Sequence, residues 1–304
     1  MMLDAFAAST VAMATPIMLA ALGELLVERA GVINIGIEGA MLAGAFAAVA
    51  AVHATGATLA GVAAAIAAGA AINALFALVA VNLAVNQVVA GTAIDLLALG
   101  LTGVLYRRIF GATGRAFTVA PMRPVALGPL ARVPIVGRAL FDQSALVYLA
   151  FMLVPALAWT LGRTRFGLRL RAAGERPEAA DALGLGVYRQ RWIALVAAGV
   201  MSGLGGAYLT LAWANTFVEG ITAGRGYVAL AVVIVGRWNA WGVAAAALMF
   251  GGAMALQFVL QAAAPAIPYQ LFLALPYLLT VAVLAIVGGT SDAPAALGEP
   301  YVRP

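Results

Sequence analysis

The amino-acid sequence predicts an all-α polytopic membrane protein with about eight or nine transmembrane helices, some of them broken or re-entrant. The chain has 304 residues, of which 64% are hydrophobic and only 10% are charged. A soluble domain carries roughly 25% charged residues, whereas the mean hydropathy of this chain is +1.03. Several segments also reach the about 20 mostly apolar residues that a span needs. We therefore expect a single transmembrane domain over residues 1–304.

Nine apolar segments are candidate spans, separated by polar or charged residues. They are residues 5–27, 31–52, 57–82, 87–106, 144–162, 191–213, 218–236, 242–262 and 268–289. The weakest is 218–236, because Glu219, Arg225 and three glycines occupy its first half and only Tyr227–Val235 is continuously apolar. Non-helical backbone at membrane depth is tolerated only where protein or a water-filled cavity covers it. This segment is therefore predicted to be a short or re-entrant element.

Small residues recur at four-residue spacing in two of these segments. One set is Gly61, Ala65 and Gly69, and the other is Ala198, Ser202 and Gly206, with Gly199 and Gly203 beside it. Small residues one turn apart let helix backbones approach closely in lipid. An alanine-rich composition explains part of the pattern but not the glycine clusters, so we expect tight helix packing there.

The distribution of arginine predicts the orientation in the membrane. The loop Arg163–Arg191 carries seven of the 17 basic residues together with three acidic ones. Because basic residues concentrate on the cytoplasmic side, we place this loop in the cytoplasm. Alternating spans then bring Arg29, Arg237 and Arg303 to the same side and put the N-terminus and the loop 107–143 outside. The bias is modest, with ten arginines inside and seven outside.

Several classes of chemistry are excluded by composition. All basic residues are arginine, so the chain has no lysine for a Walker A motif or a Schiff base. It also has no cysteine, and its single histidine, His53, excludes a site built on a histidine pair. Arginines between apolar spans indicate membrane topology rather than nucleic-acid binding. No catalytic set stands out, so an intramembrane enzyme is not expected.

The arginine-rich loop contains a predicted short helix. Pro177 suits its first turn and Gly184 its end, and the residues EAADAL between them are mostly good helix formers. An acidic face and a small apolar face are expected on this helix, formed by Glu175, Glu178 and Asp181 and by Ala179, Ala182 and Leu183. Both a solvated connector and a helix that docks into a soluble partner fit this pattern.

Polar side chains within the spans are candidates for function. A central charge costs about 2.5–3.5 kcal/mol on insertion scales, so such groups should face the bundle interior or a water-filled path. Asp95 lies near the middle of its span, and Glu38 is either an interhelical hydrogen-bonding residue or a path residue. Glu24 and Glu28 lie one turn apart beside Arg29, and this trio predicts an interfacial ion pair.

Six segments resemble, in order, the permease subunits of bacterial ABC importers for nucleosides, within the broader group for simple sugars and branched-chain amino acids. They are Thr15–Phe46, Asn86–Thr102, Arg163–Val187, Ser202–Leu209, Glu219–Trp238 and Leu275–Thr280. The resemblance covers nearly the whole chain. It implies a permease bundle of the type II importer kind, in the bacterial cytoplasmic (inner) membrane.

The resemblance also implies how ATP drives transport. In such permeases a cytoplasmic loop, about 163–190 here, holds a coupling helix in a groove of a separate ATPase subunit, with the pattern EAA followed by glycine. The residues that it assigns to coupling are Arg171, Glu175, Pro177, Glu178, Ala179, Ala180, Asp181 and Gly184. ATP and Mg would be bound by the ATPase, and no cofactor is expected in this chain.

Further partners and the transported solute follow from the same resemblance. It implies a substrate-binding protein that docks on the external loop 107–143, and a second permease chain in a heterodimer, with a homodimer as the alternative. It implies import of nucleosides, purine nucleosides foremost, by alternating access. The candidates for the translocation path are Asn34, Glu38, Asn86, Gln87 and Asp95.

Two other functions remain open from the sequence. One is an ABC permease for a simple sugar or a related small polar solute. The other is an ion-coupled secondary transporter, in which Asp95 and Glu38 would serve as coupling carboxylates. The absence of an obvious pair of internal half-repeats disfavours the secondary transporter.

Overall fold

The computed structural model describes residues 2–111, 118–126, 128, 136–263, 269–287 and 292–302. These ranges form a helical bundle with one small antiparallel strand pair. The elements are α1 (Met2–Arg29), α2 (Ile37–Thr55), α3 (Thr58–Ala77), α4 (Gln87–Phe110), β1 (Val125–Ala126), α5 (Val136–Phe141), β2 (Asp142–Gln143), α6 (Ala145–Arg163), α7 (Arg165–Glu175), α8 (Pro177–Ala182), α9 (Val187–Ala207), α10 (Arg225–Val235), α11 (Ala240–Ala263), α12 (Tyr269–Leu273) and α13 (Leu275–Val287).

The predicted all-α polytopic fold is confirmed. Seven helices of the described chain are long and apolar enough to cross a membrane: α1, α2, α3, α4, α6, α9 and α11. Two of them, α3 and α9, are extended by π-helical turns at Leu78–Asn82 and Tyr208–Trp213. The segment 218–236 contains only the 11-residue α10, as predicted for a short element. The segment 268–289 is interrupted at Ala274, between α12 and α13.

Three predicted boundaries are wrong. The span predicted at 31–52 starts later, because Gly31 has φ +82° and the chain turns through Gly36 before α2 begins at Ile37. The span predicted at 191–213 starts earlier, at Val187, directly after the left-handed Gly186. The external loop predicted at 107–143 starts too early, because α4 continues to Phe110 and its Arg107 pairs with Glu219.

The arginine-rich loop defines one end of the bundle, which we call the loop end. Arg29 donates from Nε and Nη2 to the carbonyl oxygen of Trp238, at 3.0 and 2.8 Å. Arg237 forms an ion pair with Asp292, which also lies near Arg29. Arg29 and Arg237 therefore lie on the same side as the loop, as the alternation of spans predicts. Arg303, which was predicted there as well, lies outside the described residues.

Helices α3 and α9 pack closely along the predicted small residues. A Cβ atom added to Gly203 would collide with the backbone of Ala65, and one added to Gly69 would lie 2.9 Å from Cα of Gly203. A Cβ on Gly199 would lie 2.8 Å from Cβ of Asn73. The prediction of tight packing is confirmed, because these backbones are in contact and leave no room for a side chain.

We expect Gly203→Leu to prevent α3 and α9 from packing, since overpacking a close contact costs about 1–3 kcal/mol or more. The matched control is Gly100→Leu on α4, where an added Cβ meets no atom within 4 Å. The measurement is the yield of monodisperse protein in detergent and its thermal unfolding midpoint. Equal yields and midpoints for the two variants would contradict the packing described here.

Candidate functional site

Helix α10 begins at about mid-depth in the bundle. Its 11 residues run from Arg225 to Val235 and end beside Trp238, at the loop end. At 1.5 Å per residue this is about 16 Å, roughly half of the about 30 Å hydrocarbon thickness of a bilayer. The helix therefore places its unpaired first-turn N–H groups in the interior of the membrane region, where they need acceptors from the protein.

Glu38, in the first turn of α2, supplies those acceptors. Its Oε1 accepts a hydrogen bond from the Gly224 N–H at 2.8 Å, and its Oε2 accepts one from the Gly226 N–H at 2.6 Å. A carboxylate at a helix N-terminus also interacts favourably with the helix dipole. Gly226 is needed for this approach, because an added Cβ would lie 2.6 Å from Cα of Glu38. Glu38 thus fastens α10 to α2.

Asp95, on α4, makes the corresponding contact with α2. Its Oδ1 accepts from the Gly39 N–H at 2.7 Å, and its Oδ2 accepts from the Tyr227 hydroxyl at 2.7 Å. Asp95 is 8% exposed, whereas Tyr227 is 45% exposed on the surface of the bundle. We call Glu38, Asp95 and Tyr227 the polar junction, because they join α2, α4 and α10.

Sequence reasoning identified Glu38 and Asp95 but missed Tyr227, which it assigned to an apolar run. The only local signal is a hydroxyl-bearing aromatic residue two positions after the first residue of α10. Its partner lies 132 residues away in the chain, and no local pattern reveals that contact.

The other three predicted path residues hold the connections of α1, α2 and α4. Asn34 is fully buried and donates its backbone N–H to Oε1 of Glu24 at 2.9 Å. Gln87 is buried and its Oε1 accepts from the Ile33 N–H at 2.7 Å. Asn86 is exposed and its side chain caps the first turn of α4. The hydrogen bonds described for these three residues therefore lie near the ends of the helices, and none of them involves a residue of the polar junction.

The predicted ion pair among Glu24, Glu28 and Arg29 is wrong within the described structure. Both carboxyl groups are buried, and Glu28 Oε2 accepts from the indole N–H of Trp238. Arg29 is instead held by the carbonyl oxygen of the same tryptophan. Trp238, in the connection that follows α10, thus forms hydrogen bonds with both Glu28 and Arg29. The spacing of residues along α1 does not predict this tertiary contact.

The arginine-rich loop forms two helices, of which the sequence predicted only the second. Helix α8 begins at Pro177 and the chain turns at Gly184, with φ +77°, as predicted. Helix α7 was not predicted. It ends at Glu175, and Arg176 leaves helical geometry with φ −146° and ψ 82°. The prediction that Glu175 shares a helical face with the acids of α8 is therefore wrong.

Helix α8 buries one side chain and exposes most of the others. Ala180 is buried, whereas Glu178 and Ala179 are exposed. The predicted small apolar face, which also includes Ala182 and Leu183, is exposed as well, and Leu183 is 79% accessible. Leu183 and the two alanines thus form a small exposed apolar surface at the end of α8.

Residues 292–302 hold the loop helices in place, and we call them the C-terminal strap. The Ala296 N–H donates to the Gly174 carbonyl at 3.0 Å, at the end of α7. The Tyr301 hydroxyl donates to Oδ2 of Asp181 at 3.1 Å, and its ring is buried against Ala173, Ala180 and Val187. Sequence reasoning missed the strap, because its polar and small residues look like an unstructured tail.

The same strap reaches the connection between α1 and α2. The Gly298 N–H donates to the Gly31 carbonyl at 3.3 Å. Arg191, at the start of α9, donates to the carbonyl oxygens of both Ala30 and Glu299, at 3.2 and 3.3 Å. The strap therefore links α8 to the turn that precedes α2, and α2 carries Glu38.

A bundle of apolar spans with broken helices, a polar junction that joins three of them and a short exposed helix at the loop end are features of a membrane permease. The chain belongs to the family of the branched-chain amino acid transport system / permease component, whose model matches residues 6–284. It is a multi-pass protein of the cytoplasmic membrane and a transporter subunit rather than an enzyme. Within the described residues no group of three His, Cys, Asp or Glu side chains is placed to hold a metal ion.

Several relatives match nearly the whole chain, and three of them are 35–36% identical to it. The guanosine ABC transporter permease protein NupQ of Bacillus subtilis is 36% identical, covering 97% of this chain and 95% of its own. The nucleoside ABC transporter permease protein NupC of Lactococcus lactis is 35% identical, covering 95% and 94%. TsgC13 of Haloferax volcanii, whose name assigns it provisionally to glucose transport, is 35% identical, covering 97% and 96%. No solved structure matches the chain.

Proposed function

We propose that this chain is the permease subunit of an ABC importer that carries nucleosides, purine nucleosides foremost, across the cytoplasmic membrane by alternating access. The observation that carries this proposal is the similarity, over nearly the full length, to permeases named for guanosine and for nucleosides. A sugar permease is the second candidate, because the relative assigned to glucose transport is about equally similar.

The polar junction is the proposed gating element of the translocation path. Tyr227 presents its exposed ring at mid-depth, and its hydroxyl is oriented by Asp95. An aromatic ring and a few oriented polar groups suit a solute with a flat base and a hydroxylated sugar. Because Glu38 and Asp95 join three helices, a change in their bonds would let α10 move relative to α2 and α4.

Helix α8 is the proposed coupling helix. Its exposed face, with Glu178, Ala179 and Leu183, would lie in a groove of the ATPase. Pro177 starts the helix, Ala180 packs it onto the permease, and Gly184 ends it, while Glu175 and Asp181 bind the C-terminal strap. Arg171 lines a cavity at the ends of other helices, and we assign it another role below.

ATP and Mg are proposed to bind only to the ATPase subunit, since this chain has no lysine for a Walker A motif. The loop end is then cytoplasmic, and the substrate-binding protein docks at the opposite end, near Arg107 and Glu219. The exposed apolar side chains of α4, Leu96, Leu97, Leu101 and Val104, suit a sister permease or lipid. We propose the sister chain, as part of a heterodimer, with a homodimer as the alternative.

The proposed function is tested by uptake into proteoliposomes that hold the permease pair, the ATPase and the binding protein. We expect ATP-dependent accumulation of radiolabelled guanosine that unlabelled nucleosides suppress and glucose does not. The control complex carries an ATPase that binds but does not hydrolyse ATP. Uptake that persists in this control would reject ATP coupling, and competition by glucose alone would favour the sugar permease.

Replacing Tyr301 in the C-terminal strap is expected to weaken the coupling of ATP hydrolysis to uptake. Tyr301→Ala removes a buried ring under α8, a loss of about 3–5 kcal/mol of local packing, and we expect uptake to fall at least tenfold. Tyr301→Phe keeps the ring and loses only the bond to Asp181, and we expect a loss of less than threefold. The exposed Val302→Ala is the control. Wild-type uptake by Tyr301→Ala, at equal amounts of reconstituted complex, would exclude the strap from coupling.

A further inference from the structure

A cavity of about 290 Å³ opens at the loop end, where helices α1, α6, α7 and α11 end or begin. Its lining includes Arg29, Ala158, Leu161, Arg171, Asn239 and Trp241. None of these residues belongs to the polar junction, and the cavity shares only Arg171 with the residues that the sequence assigns to coupling. Its size suits a small polar headgroup.

The polar side of the cavity is cationic. The Nε of Arg171 is buried and has no hydrogen-bond partner among the described residues. Arg29 also lines the cavity, and its guanidinium contacts only the backbone oxygen of Trp238 in the described structure. Arg171 acts unfavourably on the charge of Arg29, so an anion in the cavity would stabilise both positive groups.

The partners of the nearby acidic residues and the position of the N-terminus of helix α11 favour an anion site in the cavity. Of the two acids that influence Arg29, Glu175 accepts from the Ala295 N–H and Asp292 pairs with Arg237. Helix α11 begins at Ala240, so the positive end of a 24-residue helix also faces this region. Among the described residues neither Arg29 nor Arg171 forms an ion pair with an acid, so both arginines keep donors for an outside acceptor.

The apolar side of the cavity lies at the membrane surface. It is formed by the last turns of α6 and the first turn of α11, both of which span the membrane. Only 33% of the residues in the apolar window of α6 are buried within the chain. Trp241 and Trp159 are 60% and 64% exposed at this level, as tryptophans are where a protein meets the headgroup region of a bilayer.

We propose that this cavity binds the phosphate of an anionic phospholipid, such as phosphatidylglycerol, from the leaflet at the loop end. Arg171 and Arg29 hold the phosphate oxygens, and the acyl chains lie along α6 and α11 below the two tryptophans. Basic pockets between transmembrane helices on the cytoplasmic side commonly recognise such headgroups. The lipid would thereby brace α7, which leads into α8, against the membrane.

The test uses the full-length chain in a mild detergent with equal amounts of phosphatidylglycerol and phosphatidylcholine, and native mass spectrometry to count bound lipids. We expect a preference for phosphatidylglycerol, which Arg171→Gln weakens about fivefold, since one basic residue near an anionic surface contributes roughly that factor. The matched control is Arg169→Gln, which removes the same charge from an exposed position on α7. We expect this control to keep the preference.

Other outcomes would overturn the proposal. Equal losses in the two variants would show that the preference reflects net charge and not a site. Displacement of the lipid by millimolar inorganic phosphate would indicate a site for free phosphate. An unchanged lipid preference in Arg171→Gln together with lost binding of the ATPase subunit would show that the cavity takes an acid of the ATPase.

A second measurement keeps the test decisive. If Arg171→Gln fails to fold, brominated phosphatidylglycerol and brominated phosphatidylcholine are compared on the unaltered chain in nanodiscs. Stronger tryptophan quenching by the anionic lipid supports the site, and equal quenching overturns it. Neither assay involves transport or ATP, so their results are independent of the proposed function.

Discussion

Replacing Glu38 by alanine is expected to lower uptake at least tenfold, while the chain still inserts into the membrane. The change leaves the N–H groups of Gly224 and Gly226 without their acceptor in a water-poor region. An unpaired buried donor costs about 1–3 kcal/mol, so the first turn of α10 would lose its attachment to α2. Uptake per reconstituted complex is the measurement, with size-exclusion chromatography to confirm that the complex is intact.

A graded series tests whether the bonds of Glu38, and not its bulk, are responsible. Glu38→Gln keeps the length and one acceptor but loses the favourable charge at the start of α10, so we expect an intermediate loss of uptake. Thr92→Ala on the exposed face of α4 is the control, because its hydroxyl bonds only within its own helix. Uptake by Glu38→Ala that matches this control would remove the polar junction from the mechanism.

Replacing Gly184 by valine is expected to break the contact through which the permease and the ATPase subunit act on each other. Gly184 has φ +77°, which costs a β-branched residue more than the roughly 1–2 kcal/mol that an ordinary side chain loses there. The turn after α8 would then relax and move Leu183, the exposed residue that directly follows the proposed coupling helix. We expect substrate-stimulated ATP hydrolysis and uptake to fall together at least tenfold.

Asparagine at the same position separates backbone strain from lost space. Asparagine tolerates the left-handed conformation, and a Cβ at Gly184 meets no atom of the described residues within 4 Å. We therefore expect Gly184→Asn to keep at least half of the uptake. Glu178→Trp, which places a bulky ring on the exposed face, is expected to abolish association with the ATPase. Normal transport by both Gly184→Val and Glu178→Trp would contradict the coupling role of α8.

The sequence correctly predicted the helices and turns that depend on residues close together in the chain. Seven of the nine apolar segments form long helices, because about 20 mostly apolar residues with few charges have few alternatives in a bilayer. The glycines and charges of 218–236 correctly predicted a short element, and Pro177 and Gly184 correctly predicted the limits of α8. The two glycine-rich patterns correctly indicated close helix contacts, because only small residues permit them.

The partners of the polar groups could not be predicted in this way. Glu38 was recognised as a polar residue in a span, but its acceptor role depends on Gly224 and Gly226, 186 and 188 residues away. The trio around Glu24 was predicted as an ion pair from its spacing, and the structure instead brings Trp238 between the charges. Many pairings satisfy a buried carboxylate equally well, and the choice among them depends on which helices pack together.

The sequence by itself determined that this chain is a multi-pass helical membrane protein with a short helix in an arginine-rich loop, because hydropathy, proline and glycine act within a few residues. Only the tertiary structure decided that α10 starts at mid-depth against Glu38, that Tyr227 completes the junction with Asp95, and that the C-terminal strap connects α8 to the α1–α2 turn. These features are contacts between segments distant in sequence, and they satisfy polar groups that are buried or partly buried in the bundle.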